Sequence, residues 1–180
     1  MASHVSIAVT GERDWKDRAR VWDELDAILE PHTYDSVALY VGDCPTGADL
    51  FAREWWLEKH GESAIQIESD ESLLQIWENV PGPDIYGEPE FFRNHMYVFV
   101  ANWNKFGGYA GPERNGRLAK RFANDFGMQA RAFWSGDRKR RQSSGTIDCM
   151  EQLAQNAIDV LAITSKKSPS TLAWGRGAQQ

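Results

Sequence analysis

Cysteine is nearly absent. Cys44 and Cys149 are the only two in 180 residues, far apart and without the paired spacing of a metal site. That excludes a disulfide framework and makes a reducing, cytoplasmic setting the default expectation. The four histidines, His4, His32, His60 and His95, are scattered, so no metal and no resident cofactor is expected. No apolar run approaches the roughly 20 residues that span a bilayer, and residues 1–6 lack the charged and apolar regions of a secretion signal. Walker-type Gly-Lys-Ser/Thr, the Gly-x-Gly-x-x-Gly fingerprint and the Gly-x-Ser-x-Gly elbow are all missing. No repeat or low-complexity block is present.

What remains is an ordinary globular composition, 42% hydrophobic and 12% aromatic, which excludes a disordered chain. The net charge of −6 conceals a polarity along the sequence. Residues 1–90 carry 20 acidic and 6 basic side chains, a balance of −14; residues 91–180 carry 6 and 14, a balance of +8. Such a split suits an anionic ligand held by one half, or two complementary surfaces.

The pattern alternates short β-rich runs with amphipathic helices. Strands are predicted over 5–9, 36–41, 96–101, 129–133 and 158–163. Helices are predicted over 17–29, 48–60, 113–126 and 146–156. In the first helix Val21, Trp22, Leu25, Ile28 and Leu29 share one face, and Pro31 stops it. Residues 62–95, with Pro81-Gly82-Pro83 and many acids, read as an inserted excursion holding one short helix near 72–77. One domain over 1–164 is expected, with a flexible tail over 165–180. Its class is α/β: a single Rossmann-like domain whose mainly parallel sheet is flanked by helices.

Parallel sheets of this kind bind ligands beyond the carboxyl ends of their strands, at helix N-termini. Four strand-to-helix turns therefore matter. In Thr10-Gly11-Glu12-Arg13-Asp14-Trp15, Arg13 could meet an anion, or Asp14 could simply cap a helix. Gly42-Asp43-Cys44-Pro45-Thr46-Gly47-Ala48-Asp49 places Asp49 in the first turn of the second helix, as a cap or as an acceptor for sugar hydroxyls. Gly107-Gly108-Tyr109-Ala110-Gly111-Pro112-Glu113-Arg114-Asn115 sets Pro112 as a helix start, with Arg114 opposing the dipole unless an anion or carboxylate is near. Arg138, Lys139, Arg140 and Arg141 then precede Ser144-Gly145-Thr146. The basic run reads as a solvated loop or as a cover for an anion, and the small residues suit phosphate. Trp22 and Trp55 belong to the core, whereas Trp103 could stack on a base or pack beneath a loop.

Read in order, Thr-Gly-x-Arg-Asp-Trp, Gly-Asp-x-Pro-x-Gly-Ala-Asp-Leu with Arg-Glu-Trp, Ala-x-Trp with Ala-Gly-Pro-x-Arg-Asn, and Ser-Gly-Thr resemble a known family. This is the YspA-type, YpsA-related branch of the SLOG superfamily, Rossmann-like domains of bacteria and their phages. The resemblance spans 5–61 and 96–163. It implies a nucleotide or nucleotide-derived ligand, held by Gly11, Arg13, Gly42, Gly47, Ala48, Trp103, Gly111, Arg114, Asn115, Ser144, Gly145 and Thr146. Related LOG proteins are phosphoribohydrolases that cleave the base–ribose bond of nucleoside monophosphates, with a Glu three residues after the loop Thr. Here that position is Cys149, so the resemblance leaves Asp49, Asp148 and Glu151 as candidate catalytic carboxylates and leaves catalysis open. By the same analogy a homodimer is expected. A single-stranded nucleic-acid adaptor, resembling DprA-like relatives, is the least favoured reading because the chain is acidic overall.

Overall fold

The computed structural model describes residues 3–61, 65–70 and 94–165, and the backbone of 172–174. A parallel α/β sheet lies at its centre. The strands are β1 (His4–Gly11), β2 (Ser36–Gly42), β3 (Ile65–Glu68), β4 (His95–Phe99), β5 (Met128–Trp134), β6 (Val160–Thr164) and β7 (Leu172–Trp174). The helices are α1 (Arg18–Leu29), α2 (Ala48–His60), the single turn α3 (Trp103–Phe106), α4 (Ala110–Phe122) and α5 (Ser144–Gln155). The sheet order is β3-β4-β2-β1-β5-β6-β7. Six strands run parallel, and β7 is antiparallel to β6.

The alternation in Val5-Ser6-Ile7-Ala8-Val9 decides which helices cover which face. Val5, Ile7 and Val9 pair in register with Val37, Leu39 and Val41, and this branched face packs on α1 and α2. Val21, Leu25 and Ile28 of α1 and Ala52, Trp55 and Trp56 of α2 fill that layer. On the opposite face, Ala8, Ala38, Ala130 and Ala132 are small, so α4 and α5 approach closely with Leu118, Phe122, Met150 and Leu153. Each of these large apolar side chains contributes about 1.5–3 kcal/mol on burial. The chain builds outward from β1 through β2, then crosses from β4 to β5 on the other side of β1. That reversal of winding direction puts a crevice at the carboxyl ends beside β1.

Side-chain bonds fasten the helices. Asp17 caps α1 by accepting from the Arg20 N–H at 3.0 Å, so Asp14 is not the cap. Trp55 donates to Asp26 Oδ1 at 2.8 Å and Trp22 to the Phe51 carbonyl at 3.0 Å, tying α2 to α1.

Several boundaries differ from expectation. The excursion expected over 62–95 contains β3, which among the described residues pairs only with β4, and β4 itself begins at His95. The short helix expected near 72–77 lies outside the described residues. Helix α4 starts at Ala110, not at residue 113. Pro112 is its third residue, where the missing N–H still costs no intrahelical bond. It also ends at Phe122 rather than 126, because the Asp125 carboxylate is drawn to the Tyr40 hydroxyl at 2.6 Å and to the Phe126 N–H at 2.9 Å. Helix α5 opens two residues early, at Ser144. Within the segment expected as a tail, Leu172–Trp174 adds β7 to the sheet edge.

Candidate functional site

The carboxyl ends of the strands open into a cavity of about 630 Å³. All four turns reach it. Thr10, Gly11 and Arg13 come from the β1 end, Cys44 and Asp49 from the β2–α2 turn, and Trp103, Gly108, Gly111, Pro112, Arg114 and Asn115 from α3, α4 and the turn between them. Arg141, Gln142, Ser144, Gly145, Thr146 and Asp148 close the remaining side.

Of the two carboxylates that line the cavity, Asp49 is the more deeply buried. It is 5% exposed, and its Oδ1 has no hydrogen-bond partner among the described residues. Burial pushes its carboxyl up to about 6; Arg114 and Arg53 oppose the rise and Asp43 adds to it. The group therefore exchanges a proton near neutral pH, a property common at reacting centres.

Arg114 explains how an arginine survives in the first half of a helix. Its Nη1 donates to Asp43 Oδ1 at 2.8 Å and its Nε to Asn115 Oδ1 at 3.3 Å. Burial works against the guanidinium charge, but Asp49 and Asp43 outweigh it and raise its pKa. Asp43 is itself held by the Ala101 N–H at 3.3 Å on Oδ2. Arg53, from the Arg-Glu-Trp segment, donates to the carbonyls of Gly42 and Cys44 and fixes the β2–α2 turn from behind.

Asn115 joins α4 to α5. Its amide donates to Gly145 O at 3.1 Å and to Asp148 Oδ2 at 2.8 Å. The N-cap Ser143 makes no capping bond, because its hydroxyl donates to Glu12 instead. The first-turn N–H groups of α5 thus lack a side-chain cap. Beyond its chain neighbours and its own helix backbone, nothing lies within 4 Å of where a Gly145 Cβ would stand, and the first turn carries no acidic residue. The Ser144 N–H is taken by the Arg141 carbonyl of the 3-10 turn Arg141–Ser143 that leads into α5, so the part of the first turn that opens on the cavity is Gly145–Thr146.

Glu12, unremarked in the sequence, anchors the basic run. Only 2% exposed, it accepts from Ser135 Oγ at 2.7 Å and from Ser143 Oγ, and pairs with Arg140 at 3.3 Å. Arg140 also pairs with Asp14. The run is therefore not wholly solvated: Arg140 is spent internally, while Arg141 lines the cavity.

Of the expected carboxylates, Asp49 and Asp148 reach the cavity, and Glu151 lies exposed on α5 outside its lining. Among expected ligand contacts, Gly42, Gly47 and Ala48 do not line it. They stand behind it: a Gly42 Cβ would strike Arg114 and Asp49, and a Gly47 Cβ would strike the Glu12 carbonyl. Gly11 lines the cavity and also lets β1 approach Ala48 closely. Asp43 and Gln142 were missed, while Arg141 was expected only as part of the basic run that covers an anion or stays solvated. An unpaired Arg in a helix start was the one available sign of Asp43, since such a charge needs a carboxylate partner. Cys149, buried beside Arg114, has its thiol pushed up to about 12 by burial, which disfavours the thiolate. Among the described residues no cluster of three or more His, Cys, Asp or Glu could hold a metal ion. No helix among them is long and apolar enough to cross a membrane.

The fold is that of a Rossmann-like domain, with a cavity at the carboxyl edge of its parallel strands. Within that domain, residues 5–65 match the YspA, cpYpsA-related SLOG family. The match takes in β1, α1, β2, α2 and the start of β3, hence Gly11, Arg13 and Asp49. Trp103, Arg114, Asn115, Gly145 and Thr146 fall beyond it. No curated protein matches the chain.

Proposed function

We propose that the protein binds a nucleotide or nucleotide-derived ligand at the carboxyl ends of its parallel strands. One observation carries this reading: the uncapped α5 N-terminus and Arg141 face the same cavity as the buried Asp49. A phosphate fits the first two, and a sugar between them and Asp49 would meet carboxylates on two sides, Asp49 and Asp148. The family match over residues 5–65 supports the same ligand class. A long nucleic acid is less suited, because Arg140 is engaged with Glu12 and Asp14. Mass spectrometry of small molecules released on denaturing the purified protein tests the reading. A nucleotide is expected; a protein that releases none and binds no member of a nucleoside monophosphate panel would refute it.

The buried Asp49 favours a second, finer reading, hydrolysis of the N-glycosidic bond. The bond from C1′ to the base nitrogen breaks with its electron pair leaving on the base. Ionised Asp49 stabilises the oxocarbenium-like sugar or takes a proton from the attacking water, whose oxygen bonds to C1′. The proton that the water gives up ends on the departing base nitrogen, so the products are the neutral free base and ribose phosphate, and Asp49 returns to its ionised form. Turnover should rise with pH through about 6 as Asp49 ionises, and Asp49→Asn should abolish it. Undiminished hydrolysis by that variant would remove Asp49 from the chemistry.

A further inference from the structure

Two cavity-lining side chains have no part in the scheme above. Arg13, exposed in the turn after β1, places its guanidinium carbon 6.0 Å from the ring centroid of Trp103. Trp103 is 50% exposed, unusual for so large an apolar ring. Both line the same cavity.

Each is held from below. Gly47, at φ +77°, lacks the side chain that would strike the backbone of Glu12 and Arg13, so the turn bearing Arg13 seats on the start of α2. Trp103 opens α3, whose cap Asn102 accepts from the Lys105 N–H at 3.0 Å and donates to Asp70 at 3.1 Å. Lys105 pairs with the same Asp70 at 2.8 Å. The far edge of the indole lies 3.9 Å from where a Gly111 Cβ would stand. An exposed tryptophan fixed at its base in this way is a platform rather than a loose surface residue.

The guanidinium carbon of Arg13 stands over the Trp103 ring at 6.0 Å, a distance to be set against the room a flat ring needs. A planar aromatic ring between two flat groups needs about 3.5 Å on each side, about 7 Å in all. The pair stands about 1 Å closer than that, as a cation–π contact that a ring would enter by a small opening. We propose that Arg13 and Trp103 are the two jaws of a stacking clamp for the base of the ligand. This rests on the nucleotide reading and specifies it. Recognition through ring faces is tolerant of base edges, so the clamp selects for stacking area, and purine nucleotides bind more tightly than pyrimidine ones.

Calorimetric titration with AMP, CMP and ribose 5-phosphate tests this in the wild-type protein, Trp103→Ala, Trp103→Phe and Arg13→Ala. Trp103→Ala should weaken AMP about tenfold or more, Trp103→Phe should restore most of the loss, and ribose 5-phosphate should be unaffected by either. AMP should bind more tightly than CMP in the wild type, and that preference should shrink in Trp103→Ala. Unchanged AMP affinity in Trp103→Ala, or equal losses for AMP and ribose 5-phosphate, would overturn the clamp while leaving the nucleotide site standing. Failure of the wild type to bind any of the three probes would overturn both.

Discussion

Arg114 and Asp43 form a 2.8 Å ion pair in space that Gly42 leaves empty. A methyl group on Gly42 would land on Arg114 Nη1 and 2.6 Å from Asp49 Oδ2. Both are side-chain ends, able to move without the backbone. Gly42→Ala should therefore cost only about 1 kcal/mol in urea unfolding, yet weaken AMP binding at least tenfold, because the site carboxylate and its arginine are displaced. Gly47→Ala should behave oppositely in scale. Its φ of +77° and its backbone contacts leave nothing soft to yield, and a loss of about 3 kcal/mol is expected.

Asp49 makes stability depend on pH in a defined direction. Its folded pKa, about 6, lies above its ordinary 3.8, so the native state binds the proton more tightly than the unfolded chain. The stabilisation from protonation is fully present below pH 3.8 and is lost as pH rises through about 6. The charged form then costs on the order of 3 kcal/mol at neutral pH. Asp49→Asn should match wild type near pH 4 and exceed it in stability at pH 7–8. Urea denaturation of both proteins across pH 4–8 checks this. Parallel pH curves would mean that the Asp49 carboxyl is not strained by burial.

The fold is legible in the sequence where one local pattern meets one physical requirement. Strands β1 and β2 are buried on both faces, so their apolar runs are continuous, and α2 lies between two glycines with positive φ, Gly47 and Gly61. Strand β3 escaped notice because Ile-Gln-Ile-Glu is four residues long and, among the described residues, pairs on one side only. Pro112 misled because proline suits the third helical position as well as the first. The cavity-lining turns were legible, since parallel strands deliver their carboxyl ends to one place. What binds the turns together was not. Arg114 meets Asp43 across 71 residues and Ser143 meets Glu12 across 131, and neither distance leaves a local signature. Gly42 and Gly47 were visible as special, but spacing does not distinguish a glycine that touches ligand from one that makes room for its neighbours.

The opposite end of the sheet offers an internal control. Tyr40, 2% exposed, donates to Asp125 Oδ2 at 2.6 Å, and His4 Nε2 lies 3.2 Å from Asp125 Oδ1. Burial opposes the Asp125 charge, but bonds from Ser6, Tyr40 and the Phe126 N–H hold its pKa below the ordinary value. Tyr40→Phe should lose about 1.5–3 kcal/mol, the range for a hydrogen bond to a charged group. AMP affinity should stay unchanged, since none of these residues lines the cavity. A large change in affinity would show that the two ends of the sheet are coupled.

Glu12 decides whether the basic run is a fixed wall of the cavity or a loose strap. Its buried carboxylate gathers two serine hydroxyls and Arg140, all from the 135–143 segment. Glu12→Ala would leave those groups without their acceptor at a site from which water is largely excluded. A loss of about 3 kcal/mol is expected, against about 1–2 kcal/mol for Arg140→Ala, which strips the buried carboxylate of its cation but leaves both serine bonds intact. Trypsin supplies a local readout, because Arg138, Lys139, Arg140 and Arg141 are all cleavage sites. Cutting within the run should be slow in the wild type and at least tenfold faster in Glu12→Ala under conditions where the protein stays folded. Glu12→Gln keeps an acceptor for the hydroxyls and loses the charge, so its cutting rate should fall between. If Glu12→Ala loses stability but the run resists trypsin as well as in the wild type, Glu12 supports the core and not the wall. Arg141 would then owe its place at the cavity to α5 alone.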